Sequence, residues 1–342
     1  MRRSRGRRPT VRDVAAMAGV SVSTVSRVLH DHPDVGAETR TRVLAAVTEL
    51  HYRPSLVARS MVTNSSLSIG LLIADVTNPF YPELIKGVDD AASARDHIVI
   101  VGNTEHEGGR ASALVEALLE RSVDGLIFGS VRTDDCVVAG LVAEGFPLVL
   151  VNRRIPGVEA NLVTVDNELG ARMATEHLIR MGHRSVAFIA GESWASNSLD
   201  RRAGYMAALR DAGIALSEDW IVESDFSTGG GNAAMVRLLS LEERPTAVFC
   251  SNDSMALGAL EAIATSGLKC PQDVAVVGFD DIPLARSRLV GLTSISFDAY
   301  RTGLLAAETL FRHIDGSTAE FRSLILPPTL HVRRTCGGNL SY

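Results

Sequence analysis

From Leu67 onward, short apolar runs of strand length alternate with longer amphipathic stretches, and this alternation restricts the chain to a small set of folds. The runs are LSIGLLIA, HIVIVG, DGLIFG and PLVLVN, then SVAFIAG, WIVES, TAVFCS and VAVVGF. Helical spacing fills Glu83 to Arg95, Ala111 to Arg121, Gly170 to Met181, Ala203 to Ala212, Ala233 to Leu239 and Met255 to Ser266. Strands apolar on both faces need helices on both faces, which is the arrangement of parallel α/β sheets. Two sets of similar length predict a core of two doubly wound parallel-sheet subdomains.

Ahead of this core the pattern is purely helical. In TVRDVAAMAGVSVSTVSRVL, from Thr10 to Leu29, Val11, Val14, Ala15 and Ala18 recur at helical spacing, and Asp13 stands in capping-box position relative to Thr10. Gly19 and Val20 make a tight turn, Ser21 can cap a second helix, and Val25, Val28 and Leu29 form the apolar side of that helix. Glu38 to Leu50 predicts a third helix, which Tyr52-Arg53-Pro54 ends. Two short helices joined this way form a helix-turn-helix, whose second member can enter a DNA major groove. Spacing alone fits an ordinary small helical bundle equally well, and charge separates the two readings. Residues 1–60 carry 11 arginines and no lysine against 5 acidic residues, a balance of +6; the remaining 282 residues carry 23 basic against 35 acidic, a balance of −12. A basic head on an acidic body meets a phosphate field locally, although the whole chain is formally −6.

The length of 342 residues suits more than one domain, and 46% hydrophobic residues suit a well-cored chain. No apolar run approaches the roughly 20 residues that span a bilayer. Pro9 to Arg12 follow the basic N-terminus where a secretory signal needs an apolar core, so a cytoplasmic protein is expected. Cys136, Cys250, Cys270 and Cys336 lack metal-ligand spacing and are expected to be buried, reduced thiols. Catalytic signatures are missing: no GxGxxG follows a strand, Gly229-Gly230-Gly231-Asn232 lacks the Lys-Ser/Thr of a phosphate loop, and no nucleophile triad or carboxylate pair stands out. A non-enzyme without cofactor or metal is expected.

Ligands of open parallel sheets bind beyond the carboxyl ends of the strands. Those positions here are Asp75 with Asn78-Pro79-Phe80-Tyr81, then Asn103, Ser130, Asn152-Arg153, Trp194 to Arg201, Phe226, Asn252-Asp253 and Asp280-Asp281. Asp, Asn and Arg can each bind vicinal hydroxyls through two hydrogen bonds, and an aromatic face covers the apolar side of a sugar ring. Asn78-Pro79, Asp166 and Asn252 fit helix caps equally well. Capping does not explain Arg201, just ahead of Ala203-Gly204-Tyr205, and a ligand role is expected for it.

The run Thr10 to Leu29, followed by TRTRVLAAVTELHYRPSLVARSM, resembles the headpiece and hinge of the lactose/galactose repressor (LacI-GalR) family of bacterial transcription regulators. The likeness covers about fifty consecutive residues and continues more loosely along most of the chain. It implies a basic arm over 1–9, a DNA-binding headpiece over 10–54, and a hinge helix and linker over 55–66. It also implies an effector-binding and dimerisation core over 67–342, similar to periplasmic sugar-binding proteins. The first subdomain would hold about 67–165 and 295–326, the second about 166–291 and 327–340, with crossings near Thr164 to Asp166, Gly291 to Ser296 and Leu326 to Thr329.

The resemblance implies base-edge contacts for Val22, Ser23 and Arg27. Arg27 can grip guanine bidentately or serve as a phosphate contact. Thr10, Thr24 and the amides at the helix starts suit phosphates, and Ser21 is counted among the DNA-binding residues. On the hinge, Val57, Ala58 and Met61 would meet the minor groove, with Met61 where a wedging leucine is usual. His30 and Gly36 also depart from the family pattern, which has asparagine and serine there. For the effector the implied contacts are Asp75, Phe80, Asn152, Asn197, Arg201, Phe226, Asn252 and Asp280. The expectation is a homodimer on a pseudopalindromic operator, repressing a carbohydrate operon and answering to a sugar. A nucleobase effector, or a periplasmic-type sugar binder that does not touch DNA, are the alternatives. The chain ends soon after HVRRT, with no C-terminal heptad segment, which favours a dimer over a tetramer.

Overall fold

The computed structural model describes residues 9–29, 32–52, 65–105, 107–317 and 321–337. The expectations for the arm before Pro9, for His30, and for Val57, Ala58 and Met61 on the hinge lie outside these residues. Two compact units are present, 1–66 and 67–342.

In the first unit, α1 (Val11–Ala18), α2 (Val22–Leu29) and α3 (Ala37–Glu49) enclose a small core of Val14, Ala15, Ala18, Val25, Val28, Val43 and Ala46. The Asp13 carboxylate accepts the Thr10 amide and hydroxyl, each at 2.7 Å, fixing the start of α1. Gly19 ends α1 with φ at 65°, a left-handed turn that glycine enters without a Cβ clash. Ser21 Oγ accepts the Thr24 amide at 3.2 Å and so caps α2. Gly36, at the start of α3, supplies no side-chain cap.

The second unit contains two six-stranded sheets. The first runs β11 (Ser323–Leu326), β5 (Asn161–Val165), β4 (Leu148–Val151), β3 (Gly125–Phe128), β1 (Ser68–Ile73), β2 (Ile98–Asn103), and every neighbouring pair is parallel. The second runs β12 (Thr329–His331), β10 (Thr293–Ser296), β9 (Ala275–Asp280), β8 (Ala247–Cys250), β6 (Val186–Gly191), β7 (Ile221–Ser224), and only β12 is antiparallel. The helices are α4 (Tyr81–Ser93), α5 (Gly108–Glu120), α6 (Cys136–Ala143), α7 (Asn167–Arg180), α8 (Ser196–Asp211), α9 (Thr228–Leu239), α10 (Asp253–Thr265), the single turn α11 (Pro283–Arg286) and α12 (Ala299–Ile314). The expected doubly wound α/β class is found, and the central strands β1, β3, β4, β6, β8 and β9 are buried along their whole length.

One boundary needs correction. The first subdomain was expected to resume at 295, but Thr293–Ser296 pairs in parallel with Val277–Asp280 of the second sheet. The passage back therefore comes after Ser296. The polar sequence TSIS hides a strand whose Thr293 and Ser294 are fully buried, because both hydroxyls are bonded inside the fold. Cys136 is also exposed at the first turn of α6, not buried; Cys250 and Cys336 are buried and Cys270 is intermediate.

Three helix pairs approach so closely that glycine is required at the crossing. A Cβ on Gly303 of α12 would stand 2.1 Å from the Leu84 carbonyl of α4, one on Gly204 of α8 2.1 Å from that of Glu168 on α7, and one on Gly258 of α10 1.9 Å from that of Thr228 on α9. The obstacle is backbone each time, so no rotamer change relieves it. Gly258→Ala is expected to cost about 1–3 kcal/mol through overpacking. The check is the thermal midpoint, which should fall by several degrees; an unchanged Tm would contradict the close crossing.

Candidate DNA-reading face and effector cavity

On α2, Val22, Ser23 and Arg27 are exposed, while Val25 and Val28 face the core. Ser21 Oγ lies 2.7 Å from Ser23 Oγ and 2.9 Å from Thr24 Oγ1, so these hydroxyls form one chain at the helix start. The face therefore carries an extended cation, a short apolar side chain and a cluster of hydroxyls beside the first-turn amides. These groups match base edges and phosphates respectively. Thr10 is engaged with Asp13 in the capping box at the start of α1.

In the second unit, the carboxyl ends of both sheets face one small cavity of about 30 Å³. Phe80, Asn152, Asn197, Arg201, Phe226, Asn252 and Asp280 line it, so these seven expected positions come together. Asn78, Tyr81 and Arg153 complete the wall. These three stood among the strand-end positions without being singled out; Arg153 follows Asn152 directly. Asp75 is not in the lining. Its carboxylate accepts the Thr77 amide at 2.8 Å and the Thr77 hydroxyl at 2.7 Å, closing a local turn.

Backbone strain marks the same wall. Asn152 has φ of 62°, Phe226 of 65° and Asp280 of 107°. Each is a non-glycine residue at or just after a strand end, held in a region that costs about 1–3 kcal/mol. That conformation turns the side chain into the cavity. Gly191 makes room for Phe226, since a Cβ there would meet the ring at 2.0 Å.

Arg201 is the largest fully buried side chain among the described residues. Its Nε donates to Asn167 Oδ1 at 2.8 Å, Nη1 donates to the Ser251 carbonyl, and the guanidinium lies 3.6 Å from the centre of the Phe279 ring. Nη2 faces Asp280 Oδ1 at 3.6 Å, beyond hydrogen-bond reach. Burial lowers its pKa to about 10, so it stays a cation near neutrality. Arg153, 5% exposed, donates to Ser130 Oγ at 3.1 Å and lies over Trp194 and Phe226 at 5.0 and 5.1 Å. Asn252 caps α10 through the Met255 amide at 2.8 Å and donates to the Phe226 carbonyl at 3.0 Å, so it is both cap and cavity wall. Among the described residues, the buried side-chain atoms without a hydrogen-bond partner include Asn152 Oδ1, Asn197 Oδ1 and Arg201 Nη2, besides Ser224 Oγ and Ser251 Oγ elsewhere. The first three residues line this cavity. Buried polar atoms are almost always satisfied, and three unsatisfied ones around a single cavity suggest a polar ligand.

Burial pushes the Asp280 carboxyl up to about 7, while the Arg201 and Arg153 cations oppose the rise. The folded, unliganded protein thus binds this proton more tightly than the unfolded chain. The resulting stability is complete below the ordinary carboxylate range and is lost as pH rises through about 7. A ligand that donates hydroxyls to Asp280 favours the ionised form, so its affinity should rise by about tenfold from about pH 6 to about pH 8. Titration calorimetry checks this slope, and Asp280→Asn should flatten it.

The cavity lies between the subdomains, and polar contacts cross beside it. Arg154, after β4, forks onto Asp200 of α8, and its amide donates to Ser196 Oγ at 2.9 Å. The Thr133 amide donates to the Trp194 carbonyl at 3.0 Å, and the Arg132 guanidinium covers the Trp194 ring at 4.7 Å. Behind the cavity, Arg286 of α11 reaches Glu83 of α4 at 3.3 Å. Among the described residues, no cluster of His, Cys, Asp or Glu could hold a metal, and no helix is long and apolar enough to cross a membrane.

Comparison with known proteins agrees with both units. Residues 10–55 match the Bacterial regulatory proteins, lacI family, and residues 175–336 match the Periplasmic binding protein-like domain. The HTH-type transcriptional regulator GalS of Salmonella typhimurium is 38% identical over 325 residues, 95% of either chain. The ribose operon repressor of Haemophilus influenzae is 37% identical, covering 95% of this chain and 98% of its own. The HTH-type transcriptional repressor PurR of Erwinia tasmaniensis is 35% identical over 95% of this chain and 96% of its own. A structure of the transcriptional regulator CelR in complex with cellobiose superposes with a TM-score of 0.74 at 34% identity, covering 96% of this chain and 100% of that one. The lac repressor dimer bound to operator and the anti-inducer ONPF superposes with a TM-score of 0.86 at 29% identity, over 96% and 99%. With a helix-turn-helix head, a two-sheet core with a polar cavity between its halves, and relatives matched along nearly their whole length, the chain belongs to the LacI-GalR family of bacterial transcription regulators.

Proposed function

We propose that the protein is a homodimeric transcriptional repressor of a carbohydrate uptake or catabolism operon, whose affinity for a pseudopalindromic operator is set by a sugar in the Arg201 cavity. The observation that carries the sugar reading is the set of buried orphan atoms. Asn152 Oδ1 and Asn197 Oδ1 ask for donors, and Arg201 Nη2 asks for an acceptor. Hydroxyls supply both, and Asp280 adds a further acceptor at the wall. Phe80 and Phe226 offer apolar faces for the ring. The CelR structure, which contains cellobiose, and the ribose operon repressor support the same ligand class.

On DNA, α2 lies in the major groove with Arg27 toward guanine, Val22 toward a thymine methyl and Ser23 as an adaptable partner, while hydroxyls and amides at the helix starts hold phosphates. Two heads on one dimer read the two half-sites. A sugar bound between the subdomains touches both of them and shifts their relative position, because its affinity differs between the two arrangements. Thermal unfolding of the full chain against D-glucose, D-galactose, D-ribose, cellobiose, adenine and hypoxanthine tests the ligand class. A saturable rise in Tm with one of the sugars supports the reading; a rise with a purine alone moves the effector to the nucleobases.

A further inference from the structure

We infer that Asp253, a buried carboxylate outside the cavity, is a positioning residue that holds the strained Asp280-Asp281 turn and so aims Asp280 at the effector. This rests on the effector-site reading proposed above.

Asp253 is the first residue of α10, next to the cavity residue Asn252, and is fully buried. Its Oδ2 accepts the Ile282 amide at 2.8 Å and its Oδ1 accepts the Ser294 hydroxyl at 2.6 Å. Ser294 Oγ in turn accepts the Asp281 amide at 3.1 Å. One carboxylate therefore anchors both amides that follow Asp280, directly at Ile282 and through Ser294 at Asp281. Among the described residues no cation pairs with it, so this is not an ion pair that happens to be buried. The space is built for it: a Cβ on Gly278 would stand 2.1 Å from Asp253 Oδ1.

The held segment needs holding. Asp280 and Asp281 have φ of 107° and 53°, two successive non-glycine residues in the left-handed half of conformational space. Such a pair persists only where its surroundings over-determine it. Left to relax, the turn would carry the Asp280 carboxyl away from the wall it shares with Arg201. Removing the anchor should thus act on the effector through Asp280 and not through the fold at large. Asp281 has its own ties, its carboxylate to Arg333 Nη1 at 2.6 Å and Arg286 Nε at 3.1 Å and its carbonyl to Arg286 Nε at 2.8 Å, but the amides of Asp281 and Ile282 are held through Asp253.

The test is a double-mutant cycle in the full chain, read as affinity for whichever of D-glucose, D-galactose, D-ribose or cellobiose raises the wild-type Tm. Asp253→Asn alone should weaken the sugar at least tenfold. In an Asp280→Ala background the same change should add less than twofold, because a positioning residue has nothing left to position. A general loss of structure would multiply through both backgrounds. Unchanged affinity in Asp253→Asn, or a full additional loss in Asp280→Ala, overturns the assignment. If Asp253→Asn fails to fold, Ser294→Ala breaks the link to the Asp281 amide and enters the same cycle. Hydrogen exchange gives a readout without ligand. Amides 281 and 282 should exchange at least tenfold faster in the variant while β6 and β8 keep their protection, and unchanged exchange there also overturns it. A wild-type chain that binds none of the four sugars would refute the sugar reading, while the exchange measurement still decides the role of Asp253.

Discussion

Arg201→Ala is expected to leave a repressor that still binds its operator but no longer answers to its effector. The guanidinium is buried, and its unpartnered Nη2 faces the cavity beside Asp280. Losing a buried hydrogen bond from this cation to a ligand hydroxyl should cost about 1.5–3 kcal/mol of affinity, or roughly 10- to 150-fold. Titration of the variant with the effector checks this. Arg201 is also partly structural, since it ties α7 at Asn167 to the end of β8 at Ser251. Leaving those acceptors unpaired should destabilise the core by about 1–3 kcal/mol for each buried group. A variant that loses stability yet keeps effector affinity would make Arg201 a strut and not a ligand contact. Arg201→Lys keeps the charge but loses the fork, and should recover only part of the affinity.

The second large effect is expected at Arg27. Alanine there should relax base preference at one base pair in each half-site, by about 1–3 kcal/mol per half-site. The guanidinium is exposed on α2 beside Val22 and Ser23, while the core side of the helix is spent on Val25 and Val28. Selection of operator variants from a randomised duplex pool, at one fixed salt concentration, measures the preference directly. If all sequences weaken equally and the salt slope drops by about one, Arg27 contacts a phosphate.

Much of this architecture is legible in residue order, and the parts that are not have physical causes. The strands buried on both faces are continuous apolar runs; the short β5 and β10 escape because their polar residues are satisfied inside the fold, and β11 and β12 escape because they are four- and three-residue edge strands left partly exposed. In β5, for example, Asn161 Oδ1 accepts the Arg322 amide at 3.1 Å. Helix starts are hidden for a related reason. α8 begins at Ser196, not near Ala203, because its first turns carry the buried polar residues Ser196, Asn197, Ser198 and Arg201, which serve the cavity and its rim and disrupt the apolar period. A functional face erases the pattern that would reveal the helix. The rule that ligands sit beyond strand ends lists most of the residues that line the cavity, since each strand end must turn, and the left-handed turns at Asn152, Phe226 and Asp280 aim side chains inward. It misplaces Asp75, because a neighbouring threonine captures the carboxylate locally. It also underweights Arg153, whose role depends on Trp194 and Phe226 arriving from the other subdomain.

The two halves of the molecule have separate chemistry, and regulation requires that they communicate. The most direct measurement is the dissociation constant of the full-length protein for a selected pseudopalindromic duplex, with and without a saturating concentration of the sugar that raises its Tm, at one salt concentration. Coupling of the usual size changes that constant by about 5- to 150-fold. A change in that range, abolished by Arg201→Ala, is the expected result. An operator affinity that stays the same with the cavity filled would contradict the proposal that the sugar controls the DNA-reading head.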